Sequence, residues 1–390
     1  MKTRLSILGS TGSIGSTTLK IVSNKKNFFS IFLLSSNKNY KVICKQIKQF
    51  KPKVFVISDK KTFLKIKKKF KNSKTKFLNN FSRKEILNCD VTVSSIPGIL
   101  GIHPTLIMVE KSKNILIANK ESVICAWDII KKKATKNNTK ITPIDSEHFS
   151  ILKLLEKQKI KNLDQIYLTA SGGPFLNYKI NQLKNVSVEK ALNHPKWKMG
   201  KKISIDSATL MNKMFELIEA QKLFNLPQNK LDIVIHPNSL VHAIVKLKNG
   251  LVYFIYHETT MIIPIANALL GESVDIRNFF QKKNSYFKPP IENLEFNKVD
   301  PKKFPVYKLK DRINEYNSTP IILNSTNETL IDLFLKKKIK YTDISKTIFD
   351  IMNDRNYRKY AIRKTNNLKK ILNIVSWAKE TTMKILKKNV

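Results

Sequence analysis

Short apolar runs alternate, over the first 145 residues, with lysine-rich stretches whose apolar positions recur at helical spacing. The runs predict strands at Arg4–Leu8, Ile31–Leu34, Val54–Ile57, Val91–Ser94, Ile115–Ala118 and Ile141–Ile144, with amphipathic helices between them. Strands alternating with helices imply a parallel sheet covered on both faces. Ligands of such sheets bind beyond the carboxyl ends of the strands.

The pattern changes after Asp145. Ile166–Ala170 reads as a strand that ends in Ser171-Gly172-Gly173-Pro174. A polar loop around His194–Lys202 leads to a segment with Leu210, Met214, Leu217, Leu223 and Phe224 on one side, which predicts an amphipathic helix. On that helix Asn212 and Glu216 share a face, and Lys213 lies close enough to converge with them. A strand follows at Ile233–His236. Val241–Leu247 and Leu251–Tyr256 flank Asn249-Gly250, the signature of a hairpin. Residues 272–305 carry Pro289, Pro290, Pro301 and Pro305 with little periodicity and read as a linker, while 306–390 is helical by pattern and lacks glycine. The expected architecture is α/β: an N-terminal parallel-sheet domain over 1–144, a central α+β catalytic domain over 145–271, a linker over 272–305 and an all-α domain over 306–390.

Composition changes this picture little. At 390 residues the chain is too long for one ordinary core, and 42% apolar residues make it globular. A formal net charge of +43 invites a nucleic-acid reading, but the lysines are spread along the chain and no nucleic-acid motif accompanies them. Specific nucleic-acid binding is therefore not expected. Cys44, Cys89 and Cys125 are odd in number and far apart, which excludes a thiolate metal site or a disulfide framework and fits a reducing cytoplasm. No apolar run is long enough to span a membrane, and no signal segment is evident.

With only 10 glycines, their positions inform. Gly9-Ser-Thr-Gly12-Ser-Ile-Gly15 follows a strand and opens a helix, the context of a Rossmann-like dinucleotide loop, in which backbone N–H groups approach a pyrophosphate. The second strand ends in Ser35-Ser36-Asn37-Lys38-Asn39, without the acid that would select NAD, so NADPH is favoured. Asp145-Ser146-Glu147-His148 follows the last strand of the sheet. Asp145 can cap the next helix, or Asp145, Glu147 and Glu216 can together bind one hard divalent cation through oxygen. Ser171-Gly172-Gly173 can form an oxyanion nest or a plain turn. Trp197 and Met199, in a polar loop, suit a lid over a ligand.

These segments together resemble the 1-deoxy-D-xylulose-5-phosphate reductoisomerase family. The likeness rests on GSTGSIG (Gly9–Gly15), ANKES (Ala118–Ser122), DSEH (Asp145–His148), SGGPF (Ser171–Phe175), HPKWKMGKKISIDSATLMNK (His194–Lys213), HPNSLVH (His236–His242) and NSTNE (Asn324–Glu328). The resemblance implies an NADPH- and Mg²⁺- or Mn²⁺-dependent enzyme, with Co²⁺ also admissible, acting on a phosphorylated substrate as a cytoplasmic homodimer. It assigns Thr11, Gly12, Ser13, Ile14, Asn37, Lys38, Asn39, Asn119, Glu121 and Gly200 to the cofactor. Asp145, Glu147 and Glu216 match its metal ligands. Lys120, Ser146, Ser171, His194, Trp197, Ser207, Asn212 and Lys213 match its substrate contacts, with Lys120 and His194 also counted among the catalytic groups. The implied reaction is a skeletal rearrangement by a retro-aldol/aldol sequence, then reduction. The chain departs from the family at Asn37, where Gly is usual, and at Ile262, where Arg often follows Met261. A dehydrogenase of a phosphorylated substrate without rearrangement is the alternative, against which the three carboxylates speak.

Overall fold

A computed structural model of the chain describes residues 1–197, 199–280 and 294–388. Strands β1 (Thr3–Leu8), β2 (Phe29–Ser36), β3 (Val54–Ile57), β4 (Lys76–Leu78), β5 (Cys89–Ser94), β6 (Ser112–Ile117) and β7 (Lys140–Pro143) alternate with helices α1 (Ser13–Asn24), α2 (Tyr40–Phe50), α3 (Lys60–Lys69), α4 (Ile102–Val109) and α5 (Lys120–Lys136). Among the described residues they form one seven-stranded sheet in the order β4-β3-β2-β1-β5-β6-β7, and each pairing is parallel. The chain winds outward from β1 to β4 and then returns to place β5 beside β1. Strand order reverses there, so the loops after β1 and β5 flank a crevice of the kind that takes ligands. The sequence pattern did not indicate β4, a three-residue edge strand with no apolar run of its own.

The second sheet is mixed. Helix α6 (Ser146–Leu155) precedes β8 (Leu163–Ala170), then come α7 (Val188–Leu192), α8 (Lys201–Ala208), α9 (Met211–Phe224), β9 (Leu231–Ile235), β10 (Val241–Leu247), β11 (Val252–Tyr256) and β12 (Asn297–Lys298). Its order is β11-β10-β8-β9-β12, with β8 and β9 parallel and the other pairs antiparallel. The hairpin expected at Asn249-Gly250 is present, with Gly250 at φ +87° and its N–H on the Leu247 carbonyl. Helix α9 differs from expectation. It is not half-exposed: Met211 and Lys213 through Ala220 are all buried. Polar side chains on it therefore lie inside the protein, where they need partners.

Helix α10 (Ile262–Leu270) is followed by the C-terminal helices α11 (Thr319–Leu335), α12 (Tyr341–Met352), α13 (Tyr357–Ala361) and α14 (Leu368–Lys388). The chain divides into two compact units. One comprises Met1–Ser122, Asp128–Asp145 and Met261–Pro290, the other Val123–Trp127, Ser146–Thr260 and Ile291–Val390. This division differs from the expected one at 144, 271 and 305. Ile265 and Ala266 of α10 and Phe279 join the same core as Leu5, Ile7, Leu19 and Val22, so 261–280 belong with the parallel sheet. The C-terminal helices share a unit with the mixed sheet. Part of the expected linker, 281–293, lies outside the described residues. Among the described residues no helix is long and apolar enough to cross a membrane.

Candidate functional site

The β1–α1 turn is shaped by two of its three glycines. Gly9 has φ +82°, and a Cβ there would lie 2.8 Å from the Ser95 carbonyl oxygen; one on Gly15 would lie 2.4 Å from the Gly9 oxygen. Gly12, the N-cap of α1, meets only ordinary contact and leaves the helix N-terminus open, with Ser13 and Ile14 in its first turn. The turn is pinned to the end of β2. Gly9 N–H donates to Ser35 Oγ at 3.0 Å, Ser10 N–H to the Ser35 carbonyl at 2.8 Å, and Thr11 Oγ1 pairs with Ser36 Oγ at 2.7 Å. These bonds bring the glycine turn beside Asn37, Lys38 and Asn39, which are exposed. Asn39 also caps α2 by accepting from Val42 N–H. Asn37 is not among the residues at positive φ, so it replaces the family's glycine without backbone strain.

After β6, Asn119 caps α5 and is itself buried. Its Oδ1 accepts from Ser122 N–H at 2.9 Å, and its Nδ2 donates to the Ile96 carbonyl at 2.7 Å and to Glu121 at 2.9 Å. The side chain is thus committed to holding the loop after β5. Lys120, the first residue of α5, reaches the Asp145 carboxylate at 2.9 Å.

Asp145 is joined to Ser146, the first residue of α6, and Glu147 lies in that helix's first turn. His148 is fully buried and donates Nε2–H to the Glu216 carbonyl at 3.0 Å, fastening α6 to α9. This tie explains how residues 69 apart in the chain meet: oxygens of Asp145, Glu147 and Glu216 all lie within 4.8 Å of one another. Three hard, anionic oxygen donors at that spacing fit a divalent cation such as Mg²⁺ or Mn²⁺ better than Zn²⁺. Glu216 is only 1% exposed and Lys213 only 6%. The Lys213 ammonium donates to both Glu147 and Glu216, and Asn212 donates to Glu216 as well. Burial alone would lower the Lys213 pKa, but the two carboxylates outweigh it and hold the pKa above the ordinary lysine value. Ser146 Oγ donates to the other Glu147 oxygen at 2.6 Å.

A second cluster forms where β8 ends. Gly172 and Gly173 take φ +80° and +64°, and a Cβ on Gly173 would lie 3.0 Å from both the Ala208 Cα and the Ser207 carbonyl oxygen. The glycine thus lets the Ser171 loop rest directly on the last turn of α8. Leu210, buried at φ +67°, turns the chain between α8 and α9, with Ser207 before the turn and Asn212 after it. His194 Nδ1 accepts from the N–H groups of Lys196 (3.2 Å) and Trp197 (3.0 Å). A neutral His194 must therefore carry its proton on Nε2, which faces Ser171 Oγ at 2.9 Å. Ser171 Oγ also accepts from Gly173 N–H at 3.1 Å, leaving its own proton to point at an incoming acceptor. Burial, and then the charge of Lys213, push the His194 pKa down to about 4. Trp197 stands edge-on to His242 at 6.0 Å, and His242 stacks on His257 at 3.8 Å. Gly200, exposed at the N-terminus of α8, is required neither by its backbone angles nor by any neighbour.

Sequence reasoning assigned no role to Asp206, Asn327, Tyr341 or His257. Asp206 stands in the conspicuous SIDSATL run and Asn327 in NSTNE, but no spacing rule links two residues 121 apart. The nitrogens of Lys213 and Asn212, both expected among the substrate contacts, lie on the carboxylates of Glu147 and Glu216.

Family models described as 1-deoxy-D-xylulose 5-phosphate reductoisomerase, its C-terminal domain, and DXP reductoisomerase C-terminal domain match residues 5–127, 141–224 and 258–381. A 1-deoxy-D-xylulose 5-phosphate reductoisomerase of Pelagibacter ubique (strain HTCC1062) is 45% identical over 377 residues, 95% of this chain and 96% of that protein. Two solved structures are similar over 99% of both chains. One, DOX-P reductoisomerase in complex with NADPH, fosmidomycin and magnesium, is 32% identical with a TM-score of 0.89. The other, the Zymomonas mobilis 1-deoxy-D-xylulose 5-phosphate reductoisomerase with NADPH, is 28% identical with a TM-score of 0.85.

Proposed function

The chain belongs to the 1-deoxy-D-xylulose 5-phosphate reductoisomerase family, and from that premise we propose how its own residues rearrange and reduce 1-deoxy-D-xylulose 5-phosphate to 2-C-methyl-D-erythritol 4-phosphate, a step of the non-mevalonate route to isoprenoid precursors. The carrying observation is the cluster of Asp145, Glu147 and Glu216, whose oxygens come within 4.8 Å of one another. A reduction without rearrangement would not call for such a cluster.

When bound, the divalent ion supplies Lewis-acid polarisation of the substrate's carbonyl and NADPH supplies the hydride. Asp145, Glu147 and Glu216 would hold the ion. Lys120 orients Asp145, while Ser146 and Lys213 fix the two oxygens of Glu147. Ser171, whose hydroxyl proton is aimed outward by His194 and Gly173, would donate to the substrate phosphate together with Ser207, Asn212 and Lys213. Lys213 stands close enough to His194 to depress its pKa, so its charge is felt at the carboxylates and at this cluster alike. Holding a remote phosphate fixes the reacting carbons and helps close the Trp197–Met199 segment over them. Thr11, Gly12, Ser13 and Ile14 would hold the NADPH pyrophosphate region, and Asn37, Lys38 and Asn39 the 2′-phosphate, with Gly200, Glu121 and the backbone of Asn119 as further cofactor contacts. The open α1 N-terminus and the absence of an acid after β2 support this reading.

The chain works as a homodimer in the cytoplasm on this reading. Edge strand β11, with Val252, Tyr253 and Phe254 all exposed, supports self-association. Three cysteines, odd in number and far apart in the sequence, support a reducing compartment. Loss of NADPH absorbance with 1-deoxy-D-xylulose 5-phosphate, product identification and a chelator control test the function. Oxidation of NADPH that survives chelation, or a product with an unrearranged skeleton, contradicts it.

A further inference from the structure

Ser207, given above to the substrate phosphate, sits between two residues that the C-terminal helices hold. Asp206 precedes it, only 2% exposed, and its Oδ1 accepts from Asn327 Nδ2 of α11 at 2.6 Å. Ala208 follows it, and the Ala208 carbonyl accepts from the Tyr341 hydroxyl of α12 at 2.6 Å. That carbonyl belongs to the last turn of α8, where no further residue of the helix supplies a donor. Tyr341 is buried, and its ring also meets that of Phe175, at the end of the Ser171–Phe175 segment, edge-on with centroids 5.1 Å apart. The same Ser207–Ala208 backbone is what Gly173 packs against. The C-terminal helices thus grip both halves of the serine pair: α8 through Asp206 and Ala208, and the Ser171 loop through Phe175.

We propose that Asn327 and Tyr341 are positioning residues for the substrate phosphate, fixing Ser207 and the Ser171 loop from the far side of the site. This rests on the phosphate role proposed for Ser207. Neither residue touches substrate. Their contribution is geometric, since a hydrogen bond to phosphate weakens steeply when the donor strays from its angle and distance. A buried carboxylate at Asp206 is costly to maintain; Lys202 of the same helix lies 3.7 Å from it, and the Asn327 amide adds a contact that depends on the register of α11 against α8.

The test compares kcat/KM for 1-deoxy-D-xylulose 5-phosphate with that for unphosphorylated 1-deoxy-D-xylulose, using the full chain with NADPH and Mg²⁺. The inhibition constant of inorganic phosphate is measured alongside. Tyr341→Phe keeps the ring on Phe175 and removes only the hydroxyl. It is expected to lower the phosphorylated-to-unphosphorylated ratio roughly three- to tenfold, on the scale of one displaced hydrogen bond, and to weaken inorganic phosphate in proportion. NADPH affinity, read by fluorescence, stays unchanged. Asn327→Leu acts in the same direction and further, whereas Asp206→Asn in the otherwise unchanged chain, which keeps an acceptor for the Asn327 amide, retains most of the ratio. Ser207→Ala is the control. If it lowers the ratio and Tyr341→Phe and Asn327→Leu lower both substrates equally, those residues only stabilise the fold and the proposal is overturned. If Ser207→Ala leaves the ratio and the phosphate inhibition unaltered, the phosphate role of Ser207 falls, and the positioning role falls with it.

Discussion

Lys213 is the residue at which the carboxylate cluster and the serine cluster meet. Its ammonium lies on Glu147 and Glu216, and its charge helps hold His194 neutral. Two consequences follow with opposite signs. Lys213→Gln should raise KM for the phosphorylated substrate roughly ten- to hundredfold, through loss of a charge-assisted hydrogen bond. The same change removes a cation from two metal ligands, so Mn²⁺ should bind the substrate-free variant tighter by on the order of tenfold, read by electron paramagnetic resonance. Weaker Mn²⁺ binding would mean that the lysine orders the carboxylates more than it competes for them. His194 gives the pH prediction. Its folded pKa, about 4, lies below the ordinary histidine value of 6.5, so the folded protein favours the neutral ring. The associated stability is fully present above pH 6.5, declines as the unfolded chain takes up its proton, and is lost by about pH 4. The ring is partly exposed, which moderates the size but not the sign. Proton NMR of the imidazole should show no titration near 6.5, and a midpoint there would contradict the downward shift that burial and Lys213 impose. Only part of this coupling was legible beforehand: residue spacing placed Lys213 near Glu216, but its contact with Glu147 depends on α6 arriving from elsewhere in the chain.

Gly173 shows what an element can require of one position. Its φ of +64° strains any side chain, and a Cβ 3.0 Å from Ser207 and Ala208 fits only if they give by a few tenths of an ångström. Gly173→Ala should therefore cost at least the ~1–2 kcal/mol of left-handed strain and push the Ser171 loop off α8. The checks are a lowered Tm and a raised KM; an unchanged KM would mean that the loop can shift without disturbing the serines. Periodicity read these elements unevenly. Strands such as β3 and β10 were legible to the residue, because a bounded run of branched and aromatic residues has one reading. The three-residue β4 was not, since Lys76-Phe77-Leu78 gains its strand geometry from pairing with β3. Helix α9 misled in another way. Its amphipathic pattern expects one apolar side in the core, and only the packing of other elements around the helix buries its polar residues as well.

At the scale of the whole chain, glycine placement and alternation gave the parallel sheet and its ligand-binding edge, but not the path of the chain between units. The segment 261–280 returns to the first sheet because Ile265, Ala266 and Phe279 complete its core, and an apolar helix face carries no mark of which core it will join. The spread of the +43 charge likewise says little about the site, where the surplus is of carboxylates. From the residues alone the three acids fit either a hard-cation site or helix capping, and the family likeness favours the first; spacing could not decide, because Glu147 and Glu216 are brought together by the fold of the whole second unit. The direct test of the account is therefore a Mn²⁺ titration of the full chain and of Asp145→Asn, Glu147→Gln and Glu216→Gln, with NADPH affinity measured on the same samples. One ion per chain is expected, weakened roughly tenfold or more by each substitution while NADPH binding is preserved. Unchanged Mn²⁺ affinity in all three variants would contradict the account and return these acids to helix capping and packing.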